Sequence, residues 1–365
     1  KGRCNIVNNC DVPTAIAAIP SNGRFLYSAV SQFTPQDAIC FFENLGVPVK
    51  TERGNRVFPQ SDLASDVVDA LKSYCTQNGV QIRQAVVTDL HIQEQTVTGV
   101  RCEDGTEYFS KHVVIACGGM SYPATGSTGD GYRLAQQAGH TITELRPSLV
   151  SLVANGKDCP ALQGLSLKNV AIHVTDTKKK KEIYDDFGEM MFTHFGVTGP
   201  LILTASSVCA RKIREKQVKL ILDLKPALSK EQLDARILRE FDANANKQFR
   251  NVLPSFLPSK LVGVMYELCG IEPEKRIHDI TKEERERFLS CMKELELTVT
   301  GLRGYNEAII TKGGVSVKEI DPGTMECKNI PGLYFIGEVL DLDAVTGGFN
   351  LQIAWSTAVA AANAL

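Results

Sequence analysis

The sequence predicts an α/β protein of more than one domain, and three patterns carry that prediction. Helices near the start give way to strand-like runs that finish on Gly118-Gly119, the order of a nucleotide-binding α/β domain. Near the end, a buried-type strand from Gly332 to Ile336 breaks at Gly337, and the chain turns through Gly347-Gly348 into a last helix. Between these halves lie a β-patterned stretch and then a helical one. The 365 residues allow about two or three domains.

Thr34-Pro35-Gln36-Asp37 caps a helix that reaches Leu45, with Ala38, Ile39 and Phe42 along one side and Pro in its first turn. A second helix starts at Ser61 and carries Leu63, Val67, Val68, Leu71 and Cys75 until Asn78-Gly79 stops it. The period then shortens. Val80 to Val87, Thr96 to Cys102 and Glu107 to Ala116 alternate as strands, with Glu103-Asp104-Gly105 as a turn. From Val150 to Leu224 the pattern is that of a compact β domain, with strands expected over Leu165 to Val174, Lys181 to Tyr184, Met190 to Phe192 and Val218 to Leu222. The run Lys178 to Lys181 reads as a solvated hairpin turn between two of them. Three helices follow: one opened by the capping box Ser229-Lys230-Glu231-Gln232, one carrying Leu261, Met265, Leu268 and Cys269 before Gly270, and one opened by Thr281-Lys282-Glu283-Glu284. The last helix spans about Gly348 to Ala364. These patterns set the expected domains at 1–147 with 298–365, at 148–227 for an inserted β domain, and at 228–297 for a helical insert.

Composition narrows the function. Hydrophobic residues make up 43% and charged residues 22%, enough apolar surface for a sizeable core. The formal net charge of -2 excludes a global basic field for nucleic acid or an acidic membrane and leaves only a local patch open. Eleven cysteines are scattered without a CxxC, so they read as small apolar residues in a reducing cytoplasm, with neither a disulfide frame nor a metal site expected. The longest apolar runs, such as Val113 to Cys117, fall far short of the about 20 residues that cross a bilayer. The expected partner is a small-molecule substrate, with no nucleic acid and no membrane.

The chemistry-bearing residues cluster at glycines. Glu338, Asp341 and Asp343 follow Gly337, and Gly347-Gly348-Phe349-Asn350 opens the last helix. Two glycines before a helix let backbone N–H groups and the positive helix end approach an electron-rich ligand atom. If that ligand is a flavin, the helix end faces the edge where negative charge collects on reduction, and Asp343 or Glu338 accepts from ribityl hydroxyls. Val113 to Ile115, followed by Ala116, Cys117, Gly118 and Gly119, ends a strand in small residues, which permits close passage of a dinucleotide. A Gly- and Ser-rich loop from Ser121 to Tyr132 follows.

Three further segments complete the pattern: Gly2-Arg3-Cys4-Asn5 with Ile6 to Asn9, Met191 to Pro200 around Phe192-Thr193-His194-Phe195-Gly196, and Ala308-Ile309-Ile310-Thr311-Lys312-Gly313-Gly314-Val315. With Thr324 to Lys328 and Gly337 to Asn350, they resemble, in order and over essentially the whole chain, the BaiN/YhiN-like flavoproteins, a family of NAD(P)/FAD-dependent oxidoreductases. The resemblance implies a two-dinucleotide-binding-type FAD domain with an inserted β-barrel-like domain and a small helical domain. It implies FAD as cofactor, with NADH or NADPH as co-substrate. Arg3 and Asn5 would lie along the flavin or pyrophosphate, and Val87 would pass the adenine. Ala116, Gly118 and Gly119 would flank the cofactor, Gly337, Glu338 and Asp343 would meet ribityl or phosphate oxygens, and Gly347, Gly348, Phe349 and Asn350 would border the isoalloxazine. Such proteins carry a GxGxxG phosphate loop ahead of the Gly-Arg-Cys-Asn motif; no GxGxxG occurs here, so a form without that first βαβ unit is expected.

Hydride transfer needs positioning more than a dedicated acid or base. Polar groups expected near the substrate are His194, whose imidazole titrates near neutral pH, Tyr122 and Lys312. The resemblance implies reduction of a conjugated C=C bond, as in a bile-acid-like enone, by hydride from flavin N5. The alternatives are a flavin oxidase of small amino compounds such as aminoacetone, or a flavin-binding protein without turnover.

Overall fold

The computed structural model describes residues 2–179, 181–215 and 218–365, the side chain of Arg211 excepted. Lys180, inside the basic run, lies outside the described residues. The chain divides into two compact units, one formed by 1–148 with 305–365 and the other by 149–304.

The first unit is built from small sheets. Leu333–Phe335 runs parallel to Val113–Ile115, and Ile310–Lys312 pairs antiparallel with Arg146–Ser148. Val7–Asn8, Arg56–Pro59 and Val49–Glu52 form a three-stranded antiparallel sheet. Val87–Gln93, Thr96–Cys102 and Glu107–Phe109 form another. The helix Pro35–Asn44 starts at the expected cap: the Thr34 side chain accepts from the Asp37 N–H, and Asp37 accepts in return from the Thr34 N–H. The second helix, Ala64–Gln77, begins three residues after Ser61.

Two expectations fail here. Residues 80–86 form no strand, and Val80, Ile82 and Val86 are 53%, 67% and 53% exposed. A strand exists only when its backbone groups find a partner ladder, and here the Val80 N–H donates to the Cys75 carbonyl at 3.0 Å and the Val86 carbonyl accepts from the Glu103 N–H at 2.9 Å, with no continuous ladder between them among the described residues. The run Glu107 to Ala116 is likewise two strands, interrupted at Ser110-Lys111-His112, where the Ser110 hydroxyl donates to the His112 carbonyl at 2.8 Å.

The second unit contains a closed barrel of six strands in the order Ser166–Asp176, Lys181–Thr193, Gly196–Thr198, Leu152–Asn155, Leu295–Leu302 and Val218–Asp223. The strand Lys181–Thr193 runs through what the sequence divides in two. The last-joined strand, Leu295–Leu302, moves the expected boundary at 298 to the end of the barrel at 304. A helix that the β pattern conceals, Pro200–Arg214, buries Leu201, Ile202, Ala205, Cys209 and Ile213 in the barrel core. The helices Lys230–Ala243, Ser259–Cys269 and Lys282–Lys293 begin and end near their caps. They are not a domain of their own: Leu233, Ile237, Phe249, Phe256 and Phe288 belong to the same continuous core as barrel residues Ile172, Phe192 and Leu220. Among the described residues no helix is long and apolar enough to cross a membrane.

Candidate functional site

The expected glycines meet in two clusters of the first unit. In the first, the C-terminal helix Phe349–Ala364 abuts the strand Val7–Asn8. Gly348, its N-cap, has φ +100°, and a Cβ there would stand 2.6 Å from the Val7 carbonyl oxygen and 2.8 Å from the Asn8 nitrogen. Only glycine lets the two backbones approach this closely. The Asn5 amide, oriented to satisfy both its ends, accepts from the Gly348 N–H at 3.0 Å and donates to the carbonyls of Val7 and Val57 at 3.2 Å. Buried Asn8 donates to the carbonyls of Gly347 and Gly54, each at 3.0 Å. Trp355 Nε1 donates to the Ile6 carbonyl at 3.0 Å, about two turns further along the same helix. The positive helix end is thus fixed beside the opening motif.

The second cluster centres on Thr311, which is fully buried. Its N–H donates to Glu338 Oε1 at 2.7 Å, its Oγ1 accepts from the Met120 N–H at 2.8 Å, and Ser121 Oγ lies 2.9 Å from that oxygen. Gly119 is packed beneath: a Cβ there would come within 2.7 Å of Glu338 Oε1. Burial pushes the Glu338 carboxyl above its ordinary range, against the opposing pull of the Thr311 hydrogen bonds. Burial and the Glu338 charge push the neighbouring Tyr132 phenol up as well. Gly337 donates its N–H to Thr357 Oγ1 of the last helix at 3.0 Å, which ties the second cluster to the first.

Other expected residues are placed differently. Arg3 is held by carboxylates: it lies 2.6 Å from Glu52 and 2.8 Å from Asp62, with its guanidinium 3.9 Å from the centre of the Phe58 ring. Its Nε and one Nη are spent on this salt-bridge network. Asn350 spends its amide on the preceding loop, accepting from the Ala344 N–H at 2.8 Å and donating to the carbonyls of Ala344 and Val345 at 3.0 and 3.4 Å. It shapes the approach to the helix end instead of presenting a free amide. Asp343 is fully buried, with Lys312 Nζ 3.5 Å from its Oδ2. Val87 opens an antiparallel strand, and its carbonyl accepts from Arg133 at 2.8 Å. Ala116 is exposed just past the strand Val113–Ile115, Gly118 follows it in a left-handed conformation, and Phe349 is half-buried.

Tyr122 stands out for its backbone. It adopts φ 57°, ψ 61°, a left-handed conformation that a bulky residue takes only under strain or in a turn. Its N–H donates to the Tyr305 carbonyl at 2.8 Å, and its own carbonyl accepts from the Thr125 N–H and hydroxyl at 2.9 and 2.8 Å. The ring is 39% exposed. His194 lies in the second unit, exposed in the turn between two barrel strands and edge-on to Phe195 at 5.0 Å. Thr311, Ser121, Tyr132 and Asn8 enter the clusters without having been singled out from the sequence; Thr311 and Asn8 sit inside quoted motifs, while Ser121 and Tyr132 bound the Gly-rich loop. No group of three or more metal-ligating side chains is assembled among the described residues.

The HI0933-like protein Rossmann domain matches residues 1–364. The chain belongs to the HI0933-like family. A 3-dehydro-bile acid delta(4,6)-reductase of Clostridium scindens is 29% identical over 364 residues, covering 100% of this chain and 87% of that protein. The ribosomal RNA dihydrouridine synthases of Haemophilus influenzae and Escherichia coli are 31% and 30% identical over 366 residues, with 99% and 100% of this chain and 86% and 87% of those proteins covered. With this family assignment the chain is an oxidoreductase carrying a Rossmann-type domain.

Proposed function

We propose that the chain is an FAD-dependent reductase that saturates a carbon–carbon double bond conjugated to a carbonyl. The observation that carries this reading is the pairing of whole-chain relatives with a glycine cradle. One relative is named for reducing a bile acid and two for making dihydrouridine. A steroid enone and a uracil ring share the same reacting group, a C=C bond whose far carbon accepts hydride because the carbonyl stabilises the resulting charge.

The residues present fit the flavin end of such a cofactor. Gly348 lets the helix N-terminus pack directly on the Val7–Asn8 backbone, with Asn5 capping its first N–H, Ala116 to Gly119 leave a strand end without bulk, and buried Glu338 holds the Thr311 segment against Gly119. When bound, FAD supplies two-electron hydride chemistry, replenished from NADH or NADPH. Asn350 and the Lys312–Asp343 pair keep the loop before the helix in place. Tyr122, its ring partly exposed on a strained backbone, is the residue assigned to deliver the proton to the carbon next to the carbonyl.

The test is anaerobic. The FAD-loaded protein is reduced with NADH or NADPH and then mixed with a cyclic enone or with uridine-containing RNA, and the product is weighed by mass spectrometry. Reoxidation with a product two hydrogens heavier supports the reading, and Tyr122→Phe slows that step while leaving reduction by NAD(P)H intact. A reduced protein that only oxygen reoxidises contradicts it.

A further inference from the structure

Resting on the reading that the reduced double bond lies in a uracil ring, we propose that the exposed face of the helix Lys230–Ala243, with the turn before it, binds the phosphates of a single RNA strand. The helix buries Leu233, Ile237 and Phe241 and turns Gln232, Arg236 and Arg239, spaced i, i+4, i+7, to the other side. These three residues line a shallow depression of about 490 Å³. Arg236 is anchored there, its guanidinium 5.7 Å from the centre of the Phe256 ring and within 3.4 Å of the Ser255 carbonyl, while Arg239 is exposed.

What separates this face from the ordinary charged surface is its missing counter-ions. Neighbouring cations are all matched: Lys230 with Glu294 at 2.6 Å, Arg285 with Asp234 at 2.8 Å, and Lys293 with Asp223 at 2.5 Å. Asp234 is thereby taken by Arg285, and the acids Glu240 and Asp242 of the same helix form no ion pair with Arg236 or Arg239. Among the described residues, none places a carboxylate oxygen within 4.0 Å of Lys225, Arg236 or Arg239. Lys225 is half-buried, and burial together with the Arg236 charge holds its ammonium below the ordinary value. Lys225 thus feels the Arg236 charge, and Arg236 and Arg239 line one depression with no carboxylate ion-paired to any of the three, in a chain whose net charge is -2. Planar guanidinium forks pair with phosphate oxygens bidentately, and an open depression spread along a helix suits a strand that passes over it better than a small anion, which needs enclosure.

The test measures binding of a short fluorescein-labelled oligouridylate to the full-length, FAD-loaded protein by anisotropy over a salt series, with turnover of a cyclic enone measured in parallel. Each lost phosphate contact on a single strand flattens the slope of log affinity against log salt by about 0.7. The double variant Arg236→Gln, Arg239→Gln is expected to bind about tenfold more weakly at low salt with a slope shallower by about 1.4, and Lys225→Gln to lose about half as much slope. Arg250→Gln, whose partner is Glu274 at 3.2 Å, is expected to leave the slope unchanged, and enone turnover is expected to be the same in all. Wild-type protein that binds no oligouridylate, or a double variant with unaltered affinity and slope, overturns the proposal. If the binding pattern holds while neither enone nor RNA is reduced, the phosphate face stands and the reductase reading falls.

Discussion

In the barrel unit Phe192, Phe249, Phe256 and Phe288 are all buried in one continuous core, and the last three pack edge-to-face at 5.4 to 5.7 Å. In the unit that carries the glycines the core is split in two, one part around Phe335 and the other around Phe42. The C-terminal helix joins the halves through polar contacts: Gln352 Nε2 and Ser356 Oγ each donate to the Phe33 carbonyl at 2.8 Å, and Trp355 reaches Ile6. Apolar area is additive and tolerant, whereas a hydrogen bond or a missing Cβ is specific to one position. The barrel unit is therefore robust in sequence and the glycine unit is not.

Four substitutions sharpen or break that contrast. Phe288→Ala, deep in the shared core, is expected to cost about 3–5 kcal/mol in denaturant unfolding followed by circular dichroism, while FAD content below the transition is retained. Parallel loss of FAD would erase the distinction between the units. Gly348→Ala reverses the pattern: the left-handed backbone costs an L-residue about 1–2 kcal/mol, the new Cβ meets the Val7 and Asn8 backbone, and equilibrium dialysis is expected to show FAD affinity lowered at least about tenfold. Asn350→Ala removes the bonds to Ala344 and Val345 and is expected to cost about 1–3 kcal/mol, with slower flavin reduction read by stopped-flow absorbance.

Glu338→Gln has the smallest expected effect and the clearest sign. Burial raises the Glu338 carboxyl above its ordinary 4.5, so the folded chain keeps that proton to higher pH than the unfolded chain does. Stability is then lost as pH climbs from about 4.5 toward the folded value. Gln keeps the acceptor for the Thr311 N–H and carries no charge, so the melting temperature of the variant is expected to gain on wild type over that climb and to run parallel below it. A constant difference across the whole range would remove Glu338 from the buried cluster.

The parts of this molecule that were legible in the sequence are those decided within a few residues. The boxes at Thr34/Asp37, Ser229/Gln232 and Thr281/Glu284 form as their spacing predicts, because both partners lie within one turn. The run 80–86 has the alternation of a strand and is none, since pairing is settled by distant segments. The helix Pro200–Arg214 was hidden by its apolar and β-branched run Leu201-Ile202-Leu203-Thr204, which also suits a strand. At the site, the motifs located the glycine clusters but not the partners of their polar side chains. Arg3 finds Glu52 and Asp62 only once the antiparallel sheet has formed, and nothing near Thr311 in the chain announces Gly119 or Glu338.

The central claim is that the glycine unit binds a flavin that NAD(P)H reduces. The visible absorbance spectrum of the purified chain with FAD added, followed by anaerobic addition of NADH and then NADPH, tests it most directly. A flavin spectrum that stays with the protein through gel filtration and bleaches with one of the two nucleotides is expected. A protein that emerges colourless, or whose flavin neither nucleotide reduces, contradicts it.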